Sequence, residues 1–183
     1  MEAQAIHIHS ELINRCRQGD REAYYKLYKL YSRSMYNVGF RIVNNTEEAE
    51  DVLQEAFTSA FRNLHHYRGE STFGAWLKRI VINKAINYLH KRKAERMPED
   101  ERWDVHEEEE ENILEGFPFS VEQVRSAIER LPDGYRSVLS LYLLEGYDHA
   151  EIGEIMGITE STSKSQFNRA KKKLKDLLEE GVK

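Results

Sequence analysis

The sequence predicts an all-α protein: two small helical domains joined by a flexible acidic linker, the C-terminal one carrying a helix-turn-helix. Three observations predict it. Apolar residues recur at helical spacing through most of the chain, and no region alternates with period two. Gly and Pro are scarce, at 10 and 3 of 183 residues, so little interrupts the helices. Charge is unevenly distributed. Residues 1–95 carry 15 Lys/Arg against 11 Asp/Glu, residues 96–120 carry 2 against 10, and residues 121–183 carry 10 against 11. The middle segment includes Glu107 to Glu111 in succession and has no regular apolar period. Like charges repel there and no burial offsets chain entropy, which predicts a linker at 96–120 between domains at 1–95 and 121–183.

The elements follow in order. A short helix is expected over residues 10–18, carrying Leu12, Ile13 and Cys16, with Gly19 interrupting it and Asp20 placed to cap the next. Tyr24, Leu27, Tyr28, Tyr31, Met35 and Val38 then keep helical spacing until Asn44-Asn45-Thr46, where Thr46 is the expected N-cap. Ala49, Val52, Leu53, Ala56, Phe57, Ala60, Phe61 and Leu64 form the clearest apolar face in the chain, with Glu48, Asp51, Gln54 and Glu55 off it. After a loop at 65–72, Ser71 or Thr72 opens a long helix from Phe73 to about Lys93. Its expected buried side is Phe73, Trp76, Leu77, Ile80, Val81, Ala85, Tyr88 and Leu89. Beyond the linker, Val121, Val124, Ile128 and Leu131 begin a compact four-helix unit. A turn is expected at Leu131-Pro132-Asp133-Gly134, then a helix with Tyr135, Val138, Leu139 and Tyr142 that stops near Gly146.

The last two helices, from Tyr147 to Lys175, read as a helix-turn-helix. Ala150, Ile152, Ile155 and Met156 supply the apolar side of the first, Gly157 permits a positive φ at the turn, and Thr159 is the expected N-cap of the second. In that second helix Ser163, Phe167, Ala170 and Leu174 share one face, while Ser161, Lys164, Ser165 and Asn168 share another. Small hydrogen-bonding side chains followed by Arg169, Lys171, Lys172, Lys173 and Lys175 are what a helix needs to read base edges in a major groove and hold phosphates. A solvated helical hairpin with a Lys-rich end is the alternative.

A second basic surface lies on the long helix of the first domain. Lys78 to Lys93 holds six cations and no acid, as does Lys164 to Lys175, and such local patches, not the whole-chain charge of −5, govern phosphate binding. Arg79, Asn83, Asn87 and His90 run along one side. Asn can pair with a base edge and an aromatic among cations can stack on an unpaired base; an ordinary wet helix face is the alternative. The acidic stripe of Asp51 and Glu55 reads on spacing alone as a solvated face.

Several classes are disfavoured. Cys16 is the only cysteine, so neither an internal disulfide nor a cysteine zinc site is expected. His65 and His66 are adjacent but lack further ligands at metal spacing, so no metal is expected. No Gly-rich phosphate loop or nucleophile–base spacing marks an enzyme, and no cofactor is expected. No apolar run approaches the ~18 residues that span a bilayer, and the first residues lack a signal-peptide pattern, so no membrane insertion is expected and a cytoplasmic protein is.

The order of these features resembles the extracytoplasmic-function sigma factors of bacterial RNA polymerase. The blocks that carry the resemblance are Gly19-Asp20 with Ala23, Leu27 and Tyr31; Glu48 to Phe57; Tyr67-Arg68-Gly69 with Ser71 to Leu77; Ile80 with Asn83; Leu131-Pro132; and Gly146-Tyr147 through Ala170. The resemblance implies a non-enzymatic initiation factor that binds core RNA polymerase, directs it to promoters and helps open them. It implies that Asp51, Gln54, Glu55 and Phe57 dock on the clamp helices of the polymerase's largest subunit, reversing the bland reading of the acidic stripe. It implies that Trp76, Arg79, Asn83, Lys84, Asn87 and Tyr88 recognise and melt the −10 element, capturing single-stranded DNA. Ser161, Lys164, Ser165, Asn168, Arg169 and Lys172 would read the −35 element as duplex, and an anti-sigma factor is an expected partner. Three positions depart from the family pattern: Ser163 where an apolar residue is usual, Gln166 where Arg is common, and Asn87 where Asp is frequent. A stand-alone helix-turn-helix regulator is the other reading. It leaves the block at Asp51 to Phe57 and the helix at Trp76 to Tyr88 unexplained, and it predicts tight operator binding without polymerase.

Overall fold

The computed structural model describes residues 9–95 and 119–180. The acidic segment expected as a linker lies outside these residues except for Phe119 and Ser120, as does the N-terminal stretch before His9. Every regular element among the described residues is helical, with no strand among them, and the chain divides into two compact units, Met1–Arg92 and Lys93–Lys183.

The first unit contains α1 (Ser10–Arg17), α2 (Arg21–Val43), α3 (Thr46–Arg62) and α4 (Phe73–Glu95). Asp20 caps α2 by accepting from the backbone N–H groups of Glu22 and Ala23, and Arg15 on α1 holds its carboxylate at 2.6 Å. That guanidinium, through its hydrogen bond, draws the Asp20 carboxyl below its ordinary range. At the α2–α3 corner Asn44 takes a left-handed conformation. Asn45, not Thr46, caps α3, its side-chain oxygen accepting from Glu48 N–H at 3.0 Å. Thr46 is already helical, because a neighbouring Asn is the shorter route to the orphan donors. Gly39 marks where α2, α3 and α4 meet: a Cβ there would lie 3.4 Å from Val52 and 3.7 Å from Val81.

The expected α3 face is buried at Ala49, Val52, Leu53, Ala56, Phe57 and Ala60, and at Leu64 just past the helix, while Phe61 stays partly exposed. On α4 the buried side is rotated from the expectation. Ile82 and Ile86 join Phe73, Leu77, Val81, Ala85 and Leu89 in the core, while Trp76, Ile80 and Tyr88 stay partly exposed. The helix has apolar residues on more than one side, so periodicity alone selects no unique face. Thr72 caps it, accepting from Ala75 N–H at 3.2 Å.

The second unit contains α5 (Val121–Glu129), α6 (Asp133–Leu143), α7 (His149–Met156) and α8 (Glu160–Glu180). Ser120 with Gln123, and Asp148 with Glu151, form reciprocal capping boxes at α5 and α7. The turn before α6 is tighter than expected: Pro132 is the cap, and Asp133 and Gly134 already belong to the helix. Ala127, Leu131, Leu139, Ala170, Leu177 and Leu178 form the core, with Val124, Ile128, Tyr135, Phe167 and Leu174 packed against it.

Candidate functional site

The acidic stripe of α3 is not simply solvated. Asp51, Gln54 and Glu55 are exposed, yet both carboxylates reach across to α4. The Tyr88 hydroxyl donates to Asp51 Oδ2 at 3.1 Å, Lys84 Nζ lies 3.3 Å from Glu55 Oε2, and one turn earlier Arg92 lies 2.7 Å from Glu48. Glu48, Asp51 and Glu55 climb α3 at helical spacing while Arg92, Tyr88 and Lys84 descend α4, giving a ladder of three polar bridges between antiparallel helices. The bond to Asp51 raises the Tyr88 pKa and keeps its phenol protonated. Two groups that sequence reasoning assigns to separate tasks, Asp51 with Glu55 and Lys84 with Tyr88, are therefore physical neighbours.

Phe57 does not form the outer surface of this stripe. It is 3% exposed and packs edge-on against Tyr28 at 4.9 Å, so its direct reach to a partner is small. It lines an open groove between α2 and α3 with Tyr28, Tyr36, Leu53, Gln54 and Phe61. Gln54 and Thr58 also border a second depression with Glu55, Ser59, Arg62 and Lys84. Gln54 thus stands on a ridge between two hollows. The contribution of α2 to this surface, through Tyr28, was missed, because helical spacing alone does not say which aromatic residues stay at the surface.

On α4, Arg79, Asn83, Asn87 and His90 are exposed along one stripe. Trp76 is partly buried, its ring 5.4 Å from Tyr67 and 5.7 Å from Phe73. Tyr67 is held by its own hydroxyl, which donates to Ser71 C=O at 2.7 Å, and Gly69 completes the loop with φ +77°. The loop and the start of α4 thus form one aromatic cluster, with an indole at its edge. The imidazoles of His65 and His66 are 3.9 Å apart, but among the described residues no group of three or more His, Cys, Asp or Glu is arranged to hold a metal ion.

The helix-turn-helix has the expected joints. Gly157 ends α7 with φ +69°, and Thr159 caps α8, accepting from Thr162 N–H at 3.1 Å. Gly153 was missed: a Cβ there would lie 2.8 Å from Ile158 C=O, so the turn packs backbone on helix. Ile152 is buried and Ile155 and Met156 partly so, but Ala150 is exposed. Of the outward residues on α8, Ser161, Lys164 and Lys172 are exposed, and Ser165, Asn168 and Arg169 partly so. Lys164 pairs with Glu160 at 2.7 Å, which raises its pKa, and Ser161 Oγ lies 3.0 Å from the capping Thr159 hydroxyl. Both departures on this helix point inward: Ser163 and Gln166 are buried. Gln166 therefore does not present itself to a groove, and Ser163 has a polar partner in His149, whose Nδ1 is 2.9 Å from the serine hydroxyl.

Comparison with known proteins gives two family matches in chain order: Sigma-70 region 2 over residues 27–95 and Sigma-70, region 4 over residues 121–174. The chain is 32% identical to the RNA polymerase sigma-H factor of Pseudomonas aeruginosa over 92% of its own length and 93% of that protein. It is 31% identical to the ECF RNA polymerase sigma-E factor of Haemophilus influenzae over 92% and 94%. Among solved structures, the sigma factor RpoE in complex with the anti-sigma factor NepR from Bartonella quintana matches with a TM-score of 0.56 at 20% identity, covering 85% of this chain and 96% of that one. CnrH, in complex with the cytosolic domain of CnrY, matches with a TM-score of 0.53 at 22% identity, covering 92% and 95%. These likenesses extend to the fold.

Proposed function

The chain belongs to the extracytoplasmic-function sigma factors of bacterial RNA polymerase, and we propose that its two helical units divide promoter recognition between them. As a sigma factor it directs core polymerase to promoters and initiates transcription without catalysing a reaction. In our reading the α3 ridge of Asp51, Gln54 and Glu55 docks on the clamp helices of the largest subunit, with Phe57 buttressing the groove beside it. The stripe Arg79, Asn83 and Asn87, with Lys84, Tyr88 and the indole of Trp76, receives the opened −10 strand. Polar side chains meet base edges and aromatic rings receive unstacked bases there. Helix α8 enters the major groove at the −35 element, with Ser161, Lys164, Ser165 and Asn168 toward the bases and Arg169 and Lys172 toward phosphates. An anti-sigma factor is a further partner we infer from the Bartonella relative's complex. The protein acts where polymerase acts, in the cytoplasm; among the described residues no helix is long and apolar enough to cross a membrane.

The observation that best supports this division is the exposed ridge at Gln54 beside the polar stripe of α4, on a unit separate from the helix-turn-helix. A stand-alone regulator has no use for that ridge. Run-off transcription with core enzyme tests the reading. The wild-type chain should give promoter-dependent transcripts, and Asp51→Asn with Gln54→Ala should lose core binding while the helical circular dichroism stays intact. Unchanged core binding by the double variant would remove the ridge from the interface.

A further inference from the structure

A single imidazole joins three helices under the DNA-reading surface of the second unit. His149 is the first residue of α7, and its Nδ1 shares a 2.9 Å hydrogen bond with the hydroxyl of Ser163 on α8. Ser163 is 0% exposed, so this hydroxyl has left water and needs that partner. The imidazole stacks on Tyr142 of α6, 4.6 Å between centroids and 15° between planes, and meets Phe167 of α8 edge-on at 5.5 Å. Tyr142 and Phe167 close the triangle at 4.6 Å. Ser163 sits among the outward residues Ser161, Lys164 and Ser165, so a rotation of α8 at Ser163 re-aims all three. We propose that His149 and Ser163 are a positioning pair that sets the rotation of α8 on α7, and that −35 recognition depends on the bond between them.

The inference rests on α8 being the −35 reader. Ser163 stands where the family usually has an apolar residue; the structure makes it half of a polar pair inside a ring cluster. Burial lowers the His149 pKa, and Lys164 on α8 pushes it the same way, while Glu160 on α8 and Asp148 on α7 oppose them. From α6 the facing titratable group is the Tyr142 phenol. The start of α7 adds the positive end of a helix dipole. A folded value below the ordinary ~6.5 means that stability from the neutral ring is present above about pH 6.5 and is lost as pH falls through the folded value.

The test uses full-length protein assembled with core polymerase. The readout is the ratio of run-off transcripts from a promoter with its own −35 element to those from the same promoter with that element scrambled, at pH 7.5. His149→Phe keeps an aromatic ring in the stack and removes the bond, so it should lower the ratio about fivefold, the scale of one net hydrogen bond. His149→Asn keeps a hydrogen-bonding group near Nδ1, so its ratio should stay within about twofold of wild type. Ser163→Ala should lower the ratio as His149→Phe does, with thermal unfolding of each variant checking that the unit is folded. A folded Ser163→Ala protein with an undiminished ratio would overturn the positioning role. A folded His149→Phe protein with an undiminished ratio would overturn the role of the bond. A wild-type ratio of one at pH 7.5 would instead mean that α8 does not read the −35 element, taking the underlying reading down with the pair.

Discussion

Cys16 illustrates how a single residue's chemistry follows from its surroundings. It is fully buried under α2, and burial pushes its thiol pKa up to about 11. The thiolate is the reacting species, so alkylation by iodoacetamide at pH 8 should be at least tenfold slower in the native protein than in denaturant, read by mass spectrometry. Equal rates would mean that the α1–α2 packing opens readily. Gly153 is constrained by shape: with a backbone oxygen 2.8 Å from where a Cβ would stand, Gly153→Ala must shift the turn. It should destabilise the second unit by about 1–3 kcal/mol, measured by denaturant unfolding. Neither the clash nor the His149–Ser163 contact is legible from sequence, since each depends on atoms brought together across a turn. The joints at Gly157 and Thr159 were legible, because a positive φ and an N-cap are local demands.

At the scale of elements, the ladder between α3 and α4 carries the main lesson. Its acidic rail was visible as a helical stripe, but the rail of Lys84, Tyr88 and Arg92 and its pairing with the acids were not, because periodicity says which residues share a face and not what that face meets. Lys84 and Glu55 are both substantially exposed, at 35% and 56% of their side chains, so solvent screens the pair. A double-mutant cycle with Lys84→Met and Glu55→Gln should give a coupling of only about 0.2–1 kcal/mol in thermal unfolding. A value near zero would leave the contact without energetic weight. Capping is a stronger local term. Asp148→Ala removes one half of a capping box at α7 and should cost about 1 kcal/mol in denaturant unfolding, with Asp148→Asn largely restoring it. The same reasoning explains the Thr46 miss. Two adjacent residues could each cap α3, and geometry chose Asn45.

Over the whole molecule, a net charge of −5 coexists with nucleic-acid binding because the cations are grouped on α4 and α8. Promoter binding by the assembled holoenzyme should weaken steeply with salt, and Lys172→Ala should lower the log–log slope by about one if it meets a phosphate. An unchanged slope would take Lys172 off the phosphate list. The sequence by itself determined the all-helical class, the helix order and the family, because helical periodicity, capping residues and motif spacing are properties of short stretches of chain. Tertiary packing decided which side of α4 is buried, that Phe57 supports a surface instead of forming one, and that Gln166 points inward. It also opposed Asp51 to Tyr88 and gave Ser163 its partner in His149. Each of these depends on the burial and pairing of side chains from different helices, a competition that no single stretch contains.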